Sequence, residues 1–145
     1  MKPRSAGHLH VMRLKSPPHF VELLITEVAP PSVPSAGDIR LEVKASVGSF
    51  VGAGSCWVEA QEMKSFSLAV DQLSTSLQGT AQLKSMSPGE FSLSLSPASS
   101  RGYVLVQVAI AKRHPVQGSM SGAFEVESPC LIKLAAWSEN PSVDA

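Results

Sequence analysis

"DIRLEVKASVGSFVGAGSCWVEAQEMKSFSLAVDQLSTSLQG" (residues 38–79) contains the change of rhythm on which the fold turns. It begins by alternating. Ile39, Leu41, Val43, Ala45 and Val47 point one way, and Arg40, Glu42, Lys44 and Ser46 the other, which predicts a strand with one wet face. The glycines of "GSFVGAGS" follow, where a bulge or bend is expected. The strand pattern resumes at Cys56-Trp57-Val58. Then the period lengthens. Met63, Phe66, Ala69, Val70, Leu73 and Leu77 fall on one stripe, which predicts a helix over about 60–77. Gly79, just past the stripe, fits a left-handed C-terminal cap.

Upstream of this stretch, "HLHVMRLK" (8–15) alternates with Leu9, Val11 and Arg13 on one side. "HFVELLITEVA" (19–29) is apolar on both pleat faces, which places it in the interior of a sheet. "PPSVPSAGD" (30–38) reads as a surface loop, since each proline lacks a donor and has a fixed φ. Downstream, strand patterns occupy 80–86, 91–96, 102–112 and 119–127. The third of these, with "YVLVQVAIA", is expected to be central. A shorter helix is predicted from Ser128, as cap, and Pro129, at the first helical position. Its stripe is Leu131, Leu134, Ala135 and Trp137, and Asn140-Pro141 ends it. No internal repeat is visible. These signals predict an α+β fold: an antiparallel sheet of six or seven strands, one long helix (about 60–77) packed on one face, and a short C-terminal helix (about 128–138). The 145 residues suit a single domain, with a loose N-terminal tail (about 1–7) and a C-terminal tail (about 140–145).

Composition narrows the function classes. Hydrophobic residues make up 43% and charged residues 17%, so a core can form without staples. Twelve basic residues balance twelve acidic ones, which gives no electrostatic footprint for nucleic acid or an anionic membrane. Zero net charge also removes a repulsion that keeps copies apart. Cys56 and Cys130 are too few and too far apart for a disulfide framework and read as small apolar side chains. No secretory leader and no span-length apolar run is present, so the protein is expected in the cytoplasm.

The stretch "SMSPGEF" (85–91) resembles a catalytic loop but reads as the bend of a hairpin. A two-residue Pro88-Gly89 loop would set Lys84 among apolar residues. An odd loop length pairs Leu83 with Leu93 or Leu95 and keeps the apolar face intact. A nucleophilic serine needs a base within reach, and none of His8, His10, His19 and His114 comes with an acidic partner at a readable spacing. His8 and His10 would share a strand face but lack further metal ligands in step. Glu125 and Glu127 read as a wet face, and "KRH" (112–114) as a short basic cluster at a strand end. Trp57 and Trp137 read as core or helix-edge aromatics, and either one would anchor a partner if exposed.

The succession of "DIRLEVKASVGSF", "EMKSFSLAVDQL", "LQGTAQLKSMSPGEFSLSLS", "GYVLVQVAI" and "AFEVESPCLIKL" resembles a family of small bacterial proteins that includes WapI-type immunity proteins of polymorphic toxin systems. The likeness spans about residues 38–135. It rests on Phe66 and Leu73, on Gly79-x-Ala81-x-Leu83, on Gly102-x-Val104-x-Val106, and on Phe124-x-Val126-x-Ser128 with Leu131. An acidic residue often precedes the last helix in that family; Ser128-Pro129 stands there instead. The resemblance implies a small α+β module that binds a partner, in the immunity case a toxin.

The sequence thus leads to a non-enzymatic binding protein, immunity-like by resemblance, with no catalytic, cofactor-binding or metal-ligating residues. Its partner would be another protein or a second copy, with no nucleic acid and no membrane. Two alternatives stand beside it. One is a small-ligand or metal-binding enzyme that uses Glu42, Glu125, Glu127 and histidines on one sheet face. The other is a self-assembling structural protein.

Overall fold

The computed structural model describes residues 11–99 and 101–143. The element order is β1 (Val11–Ser16), β2 (His19–Val28), β3 (Ile39–Val47), β4 (Phe50–Val58), α1 (Ala60–Ser76), β5 (Ala81–Lys84), β6 (Phe91–Pro97), β7 (Tyr103–Lys112), β8 (Gly118–Glu127) and α2 (Cys130–Glu139). The fold is α+β, but it does not contain the single sheet of six or seven strands that the sequence suggests. There are two antiparallel four-stranded sheets, β1-β2-β3-β4 and β5-β6-β7-β8. The element order therefore repeats, four strands then a helix, where the residues showed no repeat.

The division has a physical reason. Each sheet is a meander of strands paired with their chain neighbours, and α1 interrupts the run after β4. β4 lies against β7 and β8, and β1 against β8, while α1 lies on α2, β5 and β6. The inner faces of both sheets enter one core with Met63, Phe66, Val70 and Leu73 of α1 and Leu131 and Leu134 of α2. Two apolar sheet faces cover each other more completely than two helix stripes could cover eight strands in one layer. Each large aliphatic or aromatic side chain so buried contributes about 1.5–3 kcal/mol of transfer free energy.

In β1 the buried side chains are Met12 and Leu14, while Val11 is 43% exposed. This reverses the face expected for Leu9, Val11 and Arg13; Leu9 itself lies outside the described residues. Pairing decides it: Met12 faces Leu23 and Leu14 faces Val21, both fully buried. On the other face Arg13 stands opposite Glu22, and its Nε donates to that carboxylate at 2.7 Å. β2 is interior, as expected, with Val21, Leu23 and Ile25 in the core and Phe20 and Leu24 half-buried on the outside. β7 is likewise interior to its sheet.

The glycines of β4 make no bulge. β4 pairs with β3 without interruption from Val47↔Phe50 to Ile39↔Val58. The register shift falls in β2 instead, between Ile25 and Glu27, and the Thr26 hydroxyl donates to the Arg40 carbonyl at 3.3 Å. Glycine in β4 answers a different need, close approach of the second sheet. A Cβ on Gly52 would strike the Met120 side chain, and one on Gly54 would stand 3.4 Å from Ile110 Cγ2.

α1 begins at Ala60, where the N–H is capped from a distance by Asp38 Oδ1 at 2.9 Å. It ends at Leu77, which takes the left-handed conformation (φ 54°) that was expected of Gly79, and the Leu77 N–H donates to the Leu73 carbonyl at 2.8 Å. Gly79 also has positive φ, beyond the cap. α2 starts two residues after the expected cap: Pro129 is the N-cap residue, with no side-chain cap bond, and the Ser128 carbonyl accepts from Leu131 N–H at 3.0 Å. No helix among the described residues is long and apolar enough to cross a membrane. The N-terminal tail proposed at 1–7 lies outside the described residues.

Candidate binding cleft between the two sheets

The β5–β6 hairpin has the register that the apolar pattern favours. Leu83 pairs with Leu93 and Ala81 with Leu95. Its turn is tied by Ser85, which is 9% exposed. The Ser85 N–H donates to the Phe91 carbonyl at 3.1 Å. In return the Phe91 N–H donates to Ser85 Oγ at 3.1 Å, and that hydroxyl donates to the Ser87 carbonyl at 2.7 Å. The side chain thus takes the place of a ladder carbonyl, and Gly89 supplies the positive φ (85°) that closes the bend.

This turn forms one wall of a cleft of about 400 Å³. Gly54, Ser55 and Cys56 of β4 form the opposite wall, and the stretch from Ala111 to His114 closes the end. The β6–β7 register, with Phe91 opposite Ile110, carries Glu90 beside Ala111, whose N–H donates to the Glu90 carbonyl at 3.0 Å. Gly89 and Arg113 are close: a Cβ on Gly89 would meet the guanidinium at 3.8 Å. The cleft is lined mostly by polar surface, Val43 and Phe91 being nearly buried beneath it, and Lys112, Arg113, His114 and Glu90 are among its lining residues. Among the described residues, neither Lys112 nor Arg113 has an ion-pair partner. Cys56 is 4% exposed. Burial pushes its thiol up to about 12, and the nearby charge of Glu90 adds to the effect. At neutral pH it is a protonated, apolar side chain.

The other residues singled out in the sequence are scattered. Glu42 belongs to β3 of the first sheet, and Glu125 and Glu127 to β8 of the second. The single sheet face that would have gathered them does not exist. Among the described residues no group of three or more His, Cys, Asp and Glu side chains could hold a metal ion. His8 and His10 lie outside the described residues. His19 has a structural bond: its Nδ1 accepts from the Gly48 N–H at 3.0 Å, and its ring lies 5.8 Å from that of Phe124. The "KRH" cluster is the feature whose position the sequence understated. The in-phase apolar residues Phe91 and Ile110 were the signal that could have brought Glu90 to it. Trp57 and Trp137 are both half-buried.

No protein-family model matches the chain, and no curated protein matches it. Among solved structures, one similar chain comes from the crystal structures of Trypanosoma bruciei MRP1/MRP2, at 10% identity and a TM-score of 0.45, covering 83% of this chain and 73% of that one. A likeness of that size carries no argument about function. Of the positions that carried the resemblance to WapI-type immunity proteins, Phe66 and Leu73 of α1, Ala81, Leu83, Val104, Val106, Phe124 and Val126 of the second sheet and Leu131 of α2 are core residues, whereas Gly79, Gly102 and Ser128 lie in turns outside it.

Proposed function

We propose that the protein is a non-enzymatic binding protein whose partner is another protein, engaged at the cleft between the sheets. One observation carries this reading: among the described residues Lys112 and Arg113 line the cleft between the sheets without ion-pair partners. Val116, 70% exposed, follows in the same loop. Cations beside exposed apolar surface suit a partner segment that mixes carboxylates with apolar side chains. The even balance of acidic and basic residues favours a protein over a nucleic acid as that partner. The resemblance to immunity proteins makes a toxin domain the partner of first choice. Two free thiols fit a reducing compartment such as the cytoplasm.

The test compares the wild-type chain with K112E/R113E as baits in the native cell. Proteins captured by the wild type and lost by the variant, more so at low salt than at high, support the reading. Equal capture by both baits removes the cleft as the site. A neighbouring gene for a toxin domain would strengthen the immunity form, and its absence would weaken that form.

A further inference from the structure

We propose that the protein forms a two-fold symmetric homodimer through the face that α1 and α2 share. The outer side of the helix pair holds a groove of about 800 Å³. Its α1 wall is the stripe Lys64, Ser67, Leu68, Asp71. Leu68 is 73% exposed, and Ile132, on the α2 wall, is 65% exposed. These side chains are the most exposed large apolar residues of their helices, and they face one another across a groove whose α2 floor, Ala135 and Ala136, is small. A bulky apolar side chain from outside fits that floor.

The charge pattern names the occupant. Lys64 lies four residues before Leu68 and Asp71 three residues after it. Two copies of α1 placed antiparallel, with the dyad between Ser67 and Leu68, bring each Lys64 opposite the other copy's Asp71. The same dyad sets the two Leu68 side chains together over the alanine floors. Both ion pairs form from one operation because the stripe is its own complement, which an isologous interface requires. Among the described residues neither Lys64 nor Asp71 has an ion pair within its own chain. Zero net charge leaves no long-range repulsion to oppose the pairing. This surface lies on the helices and does not depend on the cleft.

Sedimentation or light scattering from low to hundreds of micromolar tests the proposal. The wild type should pass from monomer to dimer. L68E should raise the dissociation constant by about tenfold or more. K64D alone should weaken the dimer, since it sets two carboxylates against each other across the dyad. D71K alone should weaken it in the same way, with two ammonium groups opposed. The double exchange K64D/D71K should restore wild-type behaviour. All three positions are on the surface, and circular dichroism checks that each variant keeps the fold. A wild type that stays monomeric across the range overturns the proposal, whatever else binds the face. So does a dimer indifferent to L68E, or one that the double exchange fails to restore.

Discussion

Gly122 lies so close to Val47 that a Cβ placed on it would stand 2.8 Å from the Cβ of Val47. One residue belongs to β8 and the other to β3, so the approach of the two sheets is set at this point by the absence of a side chain. The Val47 Cβ is fixed by the backbone, so no rotation of the side chain can move it aside. G122A should therefore destabilise the fold by about 1–3 kcal/mol through overpacking. V47A/G122A removes the 2.9 Å contact with Val47 Cγ1 but keeps the Cβ, so it should recover only part of the G122A loss. Urea unfolding of the four chains measures both. A G122A protein as stable as the wild type would refute the close approach.

Asp38 caps α1 from the loop before β3, through the 2.9 Å bond from Ala60 N–H. D38A should cost about 1 kcal/mol, as removal of a helix cap does. D38N, which keeps an acceptor oxygen, should retain most of that. Thermal unfolding of the two variants distinguishes loss of the cap from loss of the charge.

Ser85 satisfies both the Phe91 N–H and the Ser87 carbonyl inside the β5–β6 bend. S85A leaves both groups without that partner and should cost about 1–3 kcal/mol. Amide exchange at Phe91 should speed up by more than at Leu93, since Leu93 keeps its ladder. Equal protection at both would show that the hydroxyl is not the tie.

The thiols make stability fall at alkaline pH. Burial holds Cys56 at about 12 and Cys130 at about 11, each above the ordinary value of 9.0. An unfolded thiol ionises from pH 9.0, whereas the folded one keeps its proton, so the folded chain binds more protons between about 9 and about 12. Stability is thus fully present below pH 9.0 and declines as pH rises through that window. The melting temperature should drop more between about pH 8.5 and about pH 10.5 for the wild type than for C56A/C130A. A thiol reagent at about pH 8 should label the half-buried Cys130 before Cys56.

The elements were legible because each has its own period. α1 follows from the stripe Met63, Phe66, Val70, Leu73, and the β5–β6 register from keeping Leu83 with Leu93. The partition into two sheets was not legible. Alternation fixes which face of a strand is apolar and says nothing about which apolar face covers it. β1 shows a second kind of ambiguity. Apolar residues at 9, 11, 12 and 14 fit two frames equally, and only the pairing of Met12 with Leu23 chooses between them. The cleft was hidden for a third reason. Glu90 and Arg113 come from two different turns, and the whole β6–β7 register must be right before they line one cleft.

Among the described residues β5 is the shortest strand, four residues at the border of its sheet. Its Lys84 N–H is occupied by Glu62 Oε2 of α1 at 3.0 Å, and just beyond it the Met86 N–H is occupied by the Trp57 carbonyl at 2.8 Å. Two donors that could recruit a foreign chain are spoken for by the molecule itself. Growth into fibrils by stacking onto this border is thereby discouraged, and a chain carrying E62A, with that amide laid bare, should gather into thioflavin-positive aggregates sooner than its parent.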